Sequence, residues 1–328
     1  MIILNRDTTI DRLRGIAIMC MFYAHLIPHY VANGVKLLFI ERVFSSLAAP
    51  LFLFLVGYNF NPKHPSKRVF KRILVIFILA LGLDMFVWGI FPFYSFDVLY
   101  LIGTSILTLY FIRKLDQSKL LILVLLAVIL SIVFQYFKFY SIDLYEPYLN
   151  QKYKIKHLFY NFLVNGWFPF FPWIIFPILG FIFKSINLKS HLHKLVSIMF
   201  FVSIFFIVFQ FNFNSRPFSV EIFYPPTWIY LLLAFVYVYF LWSNKIFLKH
   251  RVFYFLNDFG KLSLFLYVFH LSIYQYVGEY VIRYVENRVY CFAIFLFFFW
   301  IVAFSINKLK QRFIIFQKSE LLRLFFGS

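Results

Sequence analysis

The fold turns on the stretch Asp11-Arg12-Leu13-Arg14-Gly15, followed by the apolar run Ile16 to Ala24 and then by His25 and His29. Arg12 and Arg14 stand where a helix would enter a bilayer. At a rise of ~1.5 Å per residue, His25 lies ~15 Å beyond Gly15, near the middle of a hydrocarbon layer ~30 Å thick. His29 is one helical turn further, on the same face. Ionisable groups at that depth are costly and face a cavity or a partner. From position alone, a hydrogen-bonded structural histidine and a functional one are equally open.

Outward from this stretch, apolar residues recur in blocks of about twenty, the length of a membrane-spanning helix. The 328 residues are 63% hydrophobic, well above the roughly half expected of a soluble domain. Strands of a membrane barrel would alternate apolar and polar residues in segments of about ten, and they do not occur here. The expectation is an all-α, polytopic membrane helical bundle. About ten transmembrane helices fall near residues 15–33, 43–60, 73–91, 97–112, 120–137, 167–183, 195–212, 227–243, 262–278 and 289–306. With the N-terminus inside, 23 of the 32 Lys and Arg residues fall on the cytoplasmic side. That bias predicts an N-in, C-in orientation. It also accounts for the net charge of +19 without nucleic acid.

Residues 1–328 read as a single membrane domain. Its 308–328 segment (Lys308, Lys310, Arg312, Lys318 and Arg323 among Phe, Ile and Leu) reads as a basic amphipathic tail on the inner leaflet. The N-terminus is signal-like, but its apolar run is long and lacks a small-x-small cleavage site, so it reads as a retained span. Cys20 and Cys291 lie inside apolar runs and make neither a disulfide framework nor a metal-ligand spacing, and no metal is expected. The absence of Asn-x-Ser/Thr leans against a glycosylated lumenal protein, and the expected location is a bacterial cytoplasmic (inner) membrane.

Two further spans carry ionisable residues near mid-membrane. Asp84 lies in the third and His270 in the ninth, so with His25 three such groups share one depth on different helices. A lone carboxylate there needs a cationic or hydrogen-bonding partner, for which His25 and His270 are candidates. The loop 61–72 is the most basic short loop; Arg68 and Arg72, four apart, share a helix face beside Lys71. It reads either as an orientation signal attracted to anionic lipid or as a clamp for a polyanionic cofactor. His64, His157, His191, His193 and His250 read as solvated. The outward loop 138–166, with Asp143 and Glu146, suits carbohydrate contact or simple solvation. Pro169 and Pro172 between Trp167 and Trp173 mark either a shaped re-entry or a helix start in an aromatic belt.

The run Thr9 to Gly15 with His25, ten residues intervening between Arg14 and His25, resembles the Arg-x10-His signature of the acyltransferase-3 family. The other landmarks resemble the related heparan-α-glucosaminide N-acetyltransferase-like family. They are Ala49 to Gly57, Val98 to Gly103, Phe168-Pro169 with Phe171-Pro172-Trp173, Gly180, and Phe259 to Leu264 with Tyr267 and His270. The resemblance implies transfer of an acyl group, acetyl above all, from cytoplasmic acyl-CoA to a sugar hydroxyl or amine of a surface glycan or glycolipid across the membrane. It implies Arg14, Arg68, Lys71 and Arg72 at the CoA phosphates and His25 as general base. His29, Asp84 and His270 would orient the base, relay the proton or stabilise the oxyanion. Direct transfer and an acyl-histidine intermediate both stay open. The expected partners are acyl-CoA, the acceptor and the lipid bilayer; a homo-oligomer is compatible with the sequence. The rival reading is a proton-coupled transporter with a His/Asp relay, for which broken helices in paired halves would speak.

Overall fold

A computed structural model describes residues 7–32, 39–137, 155–185, 198–200 and 228–327. His191, His193, Asp143, Glu146 and most of the expected span 195–212 lie outside the described residues, as do the side chains of His29 and His157. The described residues form helices and no strand. In chain order these are α1 (Thr8–Ala32), α2 (Phe39–Ser46), α3 (Ala48–Asn59), α4 (Ser66–Gly82), α5 (Val98–Ile112), α6 (Gln117–Tyr136), α7 (Ile155–Tyr160), α8 (Phe170–Trp173) and α9 (Ile175–Phe183). There follow α10 (Trp228–Ser243), α11 (Phe255–Lys261), α12 (Ser263–Ile273), α13 (Glu279–Tyr284), α14 (Arg288–Arg312), α15 (Ile314–Lys318) and α16 (Glu320–Phe326). Helices α4, α7 and α12 each run on into a π-helical turn, at Leu83–Trp88, Asn161–Asn165 and Tyr274–Gly278. Such turns recur at functional sites.

Among the described residues three stretches are long and apolar enough to cross a bilayer: Glu41–Tyr58, Gln117–Phe134 and Arg288–Arg312. Two bent pairs raise this to five if each is one crossing. They are Leu158–Asn165 with Phe170–Phe183, bent by 40°, and Arg251–Lys261 with Ser263–Gly278, bent by 79°. Lipid-facing surface is plain on α14. Cys291, Phe295, Phe299, Ala303 and Asn307 recur every fourth residue as its buried stripe, whereas Ile294, Phe297, Ile301 and Phe304 are exposed. An apolar outer face with a buried stripe is the pattern of a helix solvated by lipid. The chain is an integral membrane protein.

Internal contacts sort the chain into two compact units. The first comprises Met1–Leu51, His193–Phe211 and Val236–Ser328; the second comprises Phe52–Leu192 and Asn212–Phe235. In lipid, tails are as apolar as the side chains, so helices associate through close packing, and small residues allow it. Each unit has such a seam. In the first, a Cβ on Gly260 of α11 would stand 1.7 Å from the Asp11 carbonyl oxygen of α1, and one on Gly15 would stand 2.4 Å from that of Leu256. In the second, Cβ atoms on Gly57 of α3 and Gly180 of α9 would stand 1.8 Å and 1.9 Å from the Pro177 and Phe54 oxygens. Backbones touch at these points, and no larger residue keeps the helices so close.

Candidate active site

The first unit brings His25 and His270 together. Helix α11 runs back along the first turns of α1, because residues 260 and 256 meet 11 and 15 in reverse order. The bend at Leu262 (φ −109°, ψ 21°) then turns α12 away, and His270 meets His25. Nε2 of His270 is 3.2 Å from Nδ1 of His25. His270 is fully buried among Phe22, Tyr267, Tyr274 and Phe299; His25 is only half-buried.

Backbone carbonyls assign the protons on both rings. His270 Nδ1 is 2.8 Å from the Leu266 oxygen, one helical turn earlier, and His25 Nδ1 is 3.0 Å from the Met21 oxygen. A carbonyl only accepts, so in the neutral rings each Nδ1 carries the hydrogen. His270 Nε2 is then an acceptor for His25 Nδ1–H, which donates both to it and to Met21. The basic lone pair of His25 falls on Nε2. This is the logic of an orienter–base pair: a second group fixes the tautomer and steadies the ring as it gains charge.

Around the pair, the first unit is tied by polar contacts from distant parts of the chain. Tyr274 donates to the Phe22 carbonyl at 3.1 Å, and Tyr30 to that of Val285 at 2.8 Å. Glu41 accepts from Tyr23 at 2.6 Å and takes a two-pronged bond from Arg288, at 2.7 and 3.0 Å. Such forked guanidinium–carboxylate pairs are the strong ones. Arg12 is 5% exposed and is an anchor. It donates to Asn257 Oδ1 at 3.1 Å and to the Leu248 carbonyl, and it lies 4.4 Å from the ring centre of Tyr254. Its neighbour Arg14 is more exposed and pairs with Asp11 at 3.2 Å, three residues back.

In the second unit Asp84 is fully buried. Its carboxylate accepts from Ser95 Oγ at 2.6 Å, Tyr100 OH at 2.7 Å and the Phe93 amide at 3.0 Å. Of the cationic or hydrogen-bonding partner expected for it, the hydrogen-bonding kind is found, but its donors are two hydroxyls and an amide from the segment that follows, where the sequence offers His25 and His270 as candidates. That segment turns back because Phe93 (φ 66°) and Phe96 (φ 43°) adopt left-handed backbone. It also binds the second π turn and the stretch after it: Asn161 of the turn donates to the Tyr94 oxygen at 3.0 Å, and the amides of Trp167 and Phe168 donate to the oxygens of Ser95 and Phe96 at 2.7 and 3.0 Å. Pro169 directly precedes α8 and Pro172 lies within it, so a helix start and a shaped bend are both realised here.

At the start of α4 lie the expected phosphate ligands. Arg68 and Arg72 are exposed, and Lys71 is partly so. Ser66 bonds the Tyr110 hydroxyl, and Arg113 lies 3.9 Å from that ring's centre, so the end of α5 adds charge here. Two residues that read as solvated or as orientation signal join them. Lys184 after α9 donates to the Phe60 carbonyl at 2.9 Å. His64 is half-buried, and burial first, then Arg68, Arg72 and Lys184, hold its imidazole below the ordinary value of 6.5.

Among the described residues no group of three or more His, Cys, Asp or Glu side chains is placed to hold a metal ion. Of the groups that matter, Arg12, Glu41, Tyr23 and Lys184 were not visible as such in the sequence. Only the Asp11–Arg14 pair carries a local signal, its i, i+3 spacing.

No curated protein and no solved structure matches the chain. Residues 6–212, well over half of the chain, match the family model described as heparan-alpha-glucosaminide N-acetyltransferase, catalytic. That span covers α1 with His25, the Asp84 network and the basic start of α4, and the chain belongs to this family of membrane acetyltransferases.

Proposed function

We propose that this protein moves an acetyl group from acetyl-CoA to an amine or hydroxyl of a sugar, with His25 as general base. The observation that carries the reading is the His25–His270 contact, whose two carbonyl-bound Nδ1 atoms leave the basic lone pair on His25 Nε2. Nε2 takes the proton as acceptor nitrogen or oxygen attacks the thioester carbon. The new C–N or C–O bond replaces the C–S bond, and the proton passes to the departing thiolate. His270 holds the base in its tautomer and shares the charge that develops on it. His25 is a catalytic residue in this account and His270 a positioning residue.

The basic start of α4, with Arg68, Lys71 and Arg72, receives the CoA phosphates from the cytoplasm. Guanidinium forks match phosphate oxygens, and the positive-inside bias puts this loop on that side. Arg14 is a weaker member of the set, since Asp11 already pairs with it. Asp84 is architectural: three donors occupy its oxygens. The acceptor is a surface glycan or glycolipid aminosugar on the opposite face of a bacterial inner membrane, reached through a ten-span N-in, C-in bundle. The family's description as a heparan-alpha-glucosaminide N-acetyltransferase supports an N-acetyl product on glucosamine.

The test is radiolabelled acetyl transfer by purified protein from acetyl-CoA to a glucosamine-terminated acceptor. Turnover supports the reading; its absence at millimolar donor with folded protein overturns it. One observation favours a second reading. Each unit carries a helix broken by a sharp bend, as secondary transporters do. Proton-coupled flux in liposomes without acetyl-CoA would decide for that reading.

A further inference from the structure

The turn that joins α3 to α4 is short and held from outside. Phe60 ends it on one side, packing edge-on against Phe181 of α9 at 5.8 Å, and Lys184 donates to its carbonyl. Asn61 closes it through an Asx turn, its Oδ1 accepting from the Lys63 amide at 3.0 Å, while the His64 amide donates to the Asn61 oxygen at 3.2 Å. The turn holds His64 one helical turn before Arg68, with the Lys184 ammonium tied to the Phe60 carbonyl four residues back. The charged groups acting on its ring are Arg68 and Arg72 of α4 and Lys184. An imidazole gripped among three cations is costly to charge in the empty protein. The same place becomes favourable for a proton once a phosphate sits there.

We propose that His64 and Lys184 complete a phosphate clamp with Arg68 and Arg72, and that His64 takes up a proton when the phosphate binds. This rests on the acetyl-CoA reading for the source of the phosphate; a phospholipid headgroup carries the same chemistry. The free imidazole is neutral at pH 7, consistent with its lowered pKa. A bound anion raises that pKa, so binding is linked to protonation and tightens as pH falls between about 8 and 5.5. A rise of about one pKa unit on binding corresponds to up to about tenfold in affinity.

The experiment is coenzyme A binding to the full chain in phosphatidylcholine nanodiscs across that pH range, for the wild type, His64→Gln, His64→Lys and Lys184→Gln. Titration of the ligand's own phosphate is common to all and cancels in the comparison. The wild type should gain about tenfold in affinity relative to His64→Gln as pH falls. His64→Lys, permanently charged, should bind tightly with the flat relative profile of His64→Gln. Lys184→Gln should weaken binding at every pH. Equal pH profiles in the wild type and both His64 variants would overturn the proton linkage while leaving the CoA site standing. No coenzyme A binding in any protein would overturn the CoA reading itself. In that case, a His64-dependent, pH-dependent stabilisation on exchanging phosphatidylcholine for phosphatidylglycerol would assign the clamp to lipid headgroups, and its absence would overturn the clamp.

Discussion

His25 and Asp84 sit at the same expected depth, yet the two units treat them differently. In the first unit His25 and His270 bond one carbonyl each and then one another, so protons are assigned and the basic nitrogen of His25 is specified. In the second unit Asp84 meets two hydroxyls and an amide, all from residues 93–100 of its own unit. Asp84 is fully buried and His25 half-buried, so burial alone would mark Asp84 as the functional one. The bonding separates them. On the proposed function, the defined lone pair of His25 suits proton transfer, and the three donors on Asp84 suit holding the loop that supplies them.

The comparison can be broken most forcefully at His25. His25→Ala should lower the initial rate of acetyl transfer by about 10²- to 10⁴-fold, the usual worth of a general base, without moving the unfolding temperature in detergent by more than a few degrees. His270→Gln should cost less, about 10- to 100-fold, as loss of a partner that orients a functional imidazole does. A merely structural His270 would leave the pH profile of kcat where it is; a positioning role moves it, with KM for acetyl-CoA unchanged.

Asp84→Asn sharpens the other side. The amide keeps the shape but offers one acceptor oxygen to three donors. Stability should fall by about 1–3 kcal/mol, read as a lower unfolding temperature, with the rate per folded molecule preserved. Two residues earlier, Gly82 lies in α4 with open space where a Cβ would stand. Gly82→Ala should stabilise by about 0.5–1 kcal/mol through helix propensity and have no effect on transfer. That small gain beside a large loss would show that the effect at position 84 belongs to the carboxylate and not to the helix around it.

What the sequence made legible follows the same division. The helical membrane class was plain from the length of the apolar blocks. His25 and His270 could be put at one depth because depth in a span is counted from the chain, but the pairing expected from the sequence is of either histidine with Asp84, and the contact found is between the two histidines. Of the glycines that carry the resemblance, Gly57, Gly180 and Gly260 prove to be points of backbone contact, a role small residues announce, whereas Gly103 meets the Phe77 ring. The Asp84 loop stayed hidden because its return depends on left-handed backbone at Phe93 and Phe96, and phenylalanine gives no sign of that conformation. Arg12 looked interchangeable with Arg14, since its partners at Leu248 and Asn257 lie more than 200 residues away. His64 looked solvated because its burial comes from the fold, and one of the cations that act on it, Lys184, comes 120 residues later in the chain.

The most direct measurement is acetyl transfer by wild type, His25→Ala and Asp84→Asn side by side, each normalised to folded protein. His25→Ala should turn over at least about 10²-fold more slowly than the wild type, and Asp84→Asn at the wild-type rate. A rate within about tenfold of the wild type in folded His25→Ala, or loss of turnover in folded Asp84→Asn, would contradict these roles.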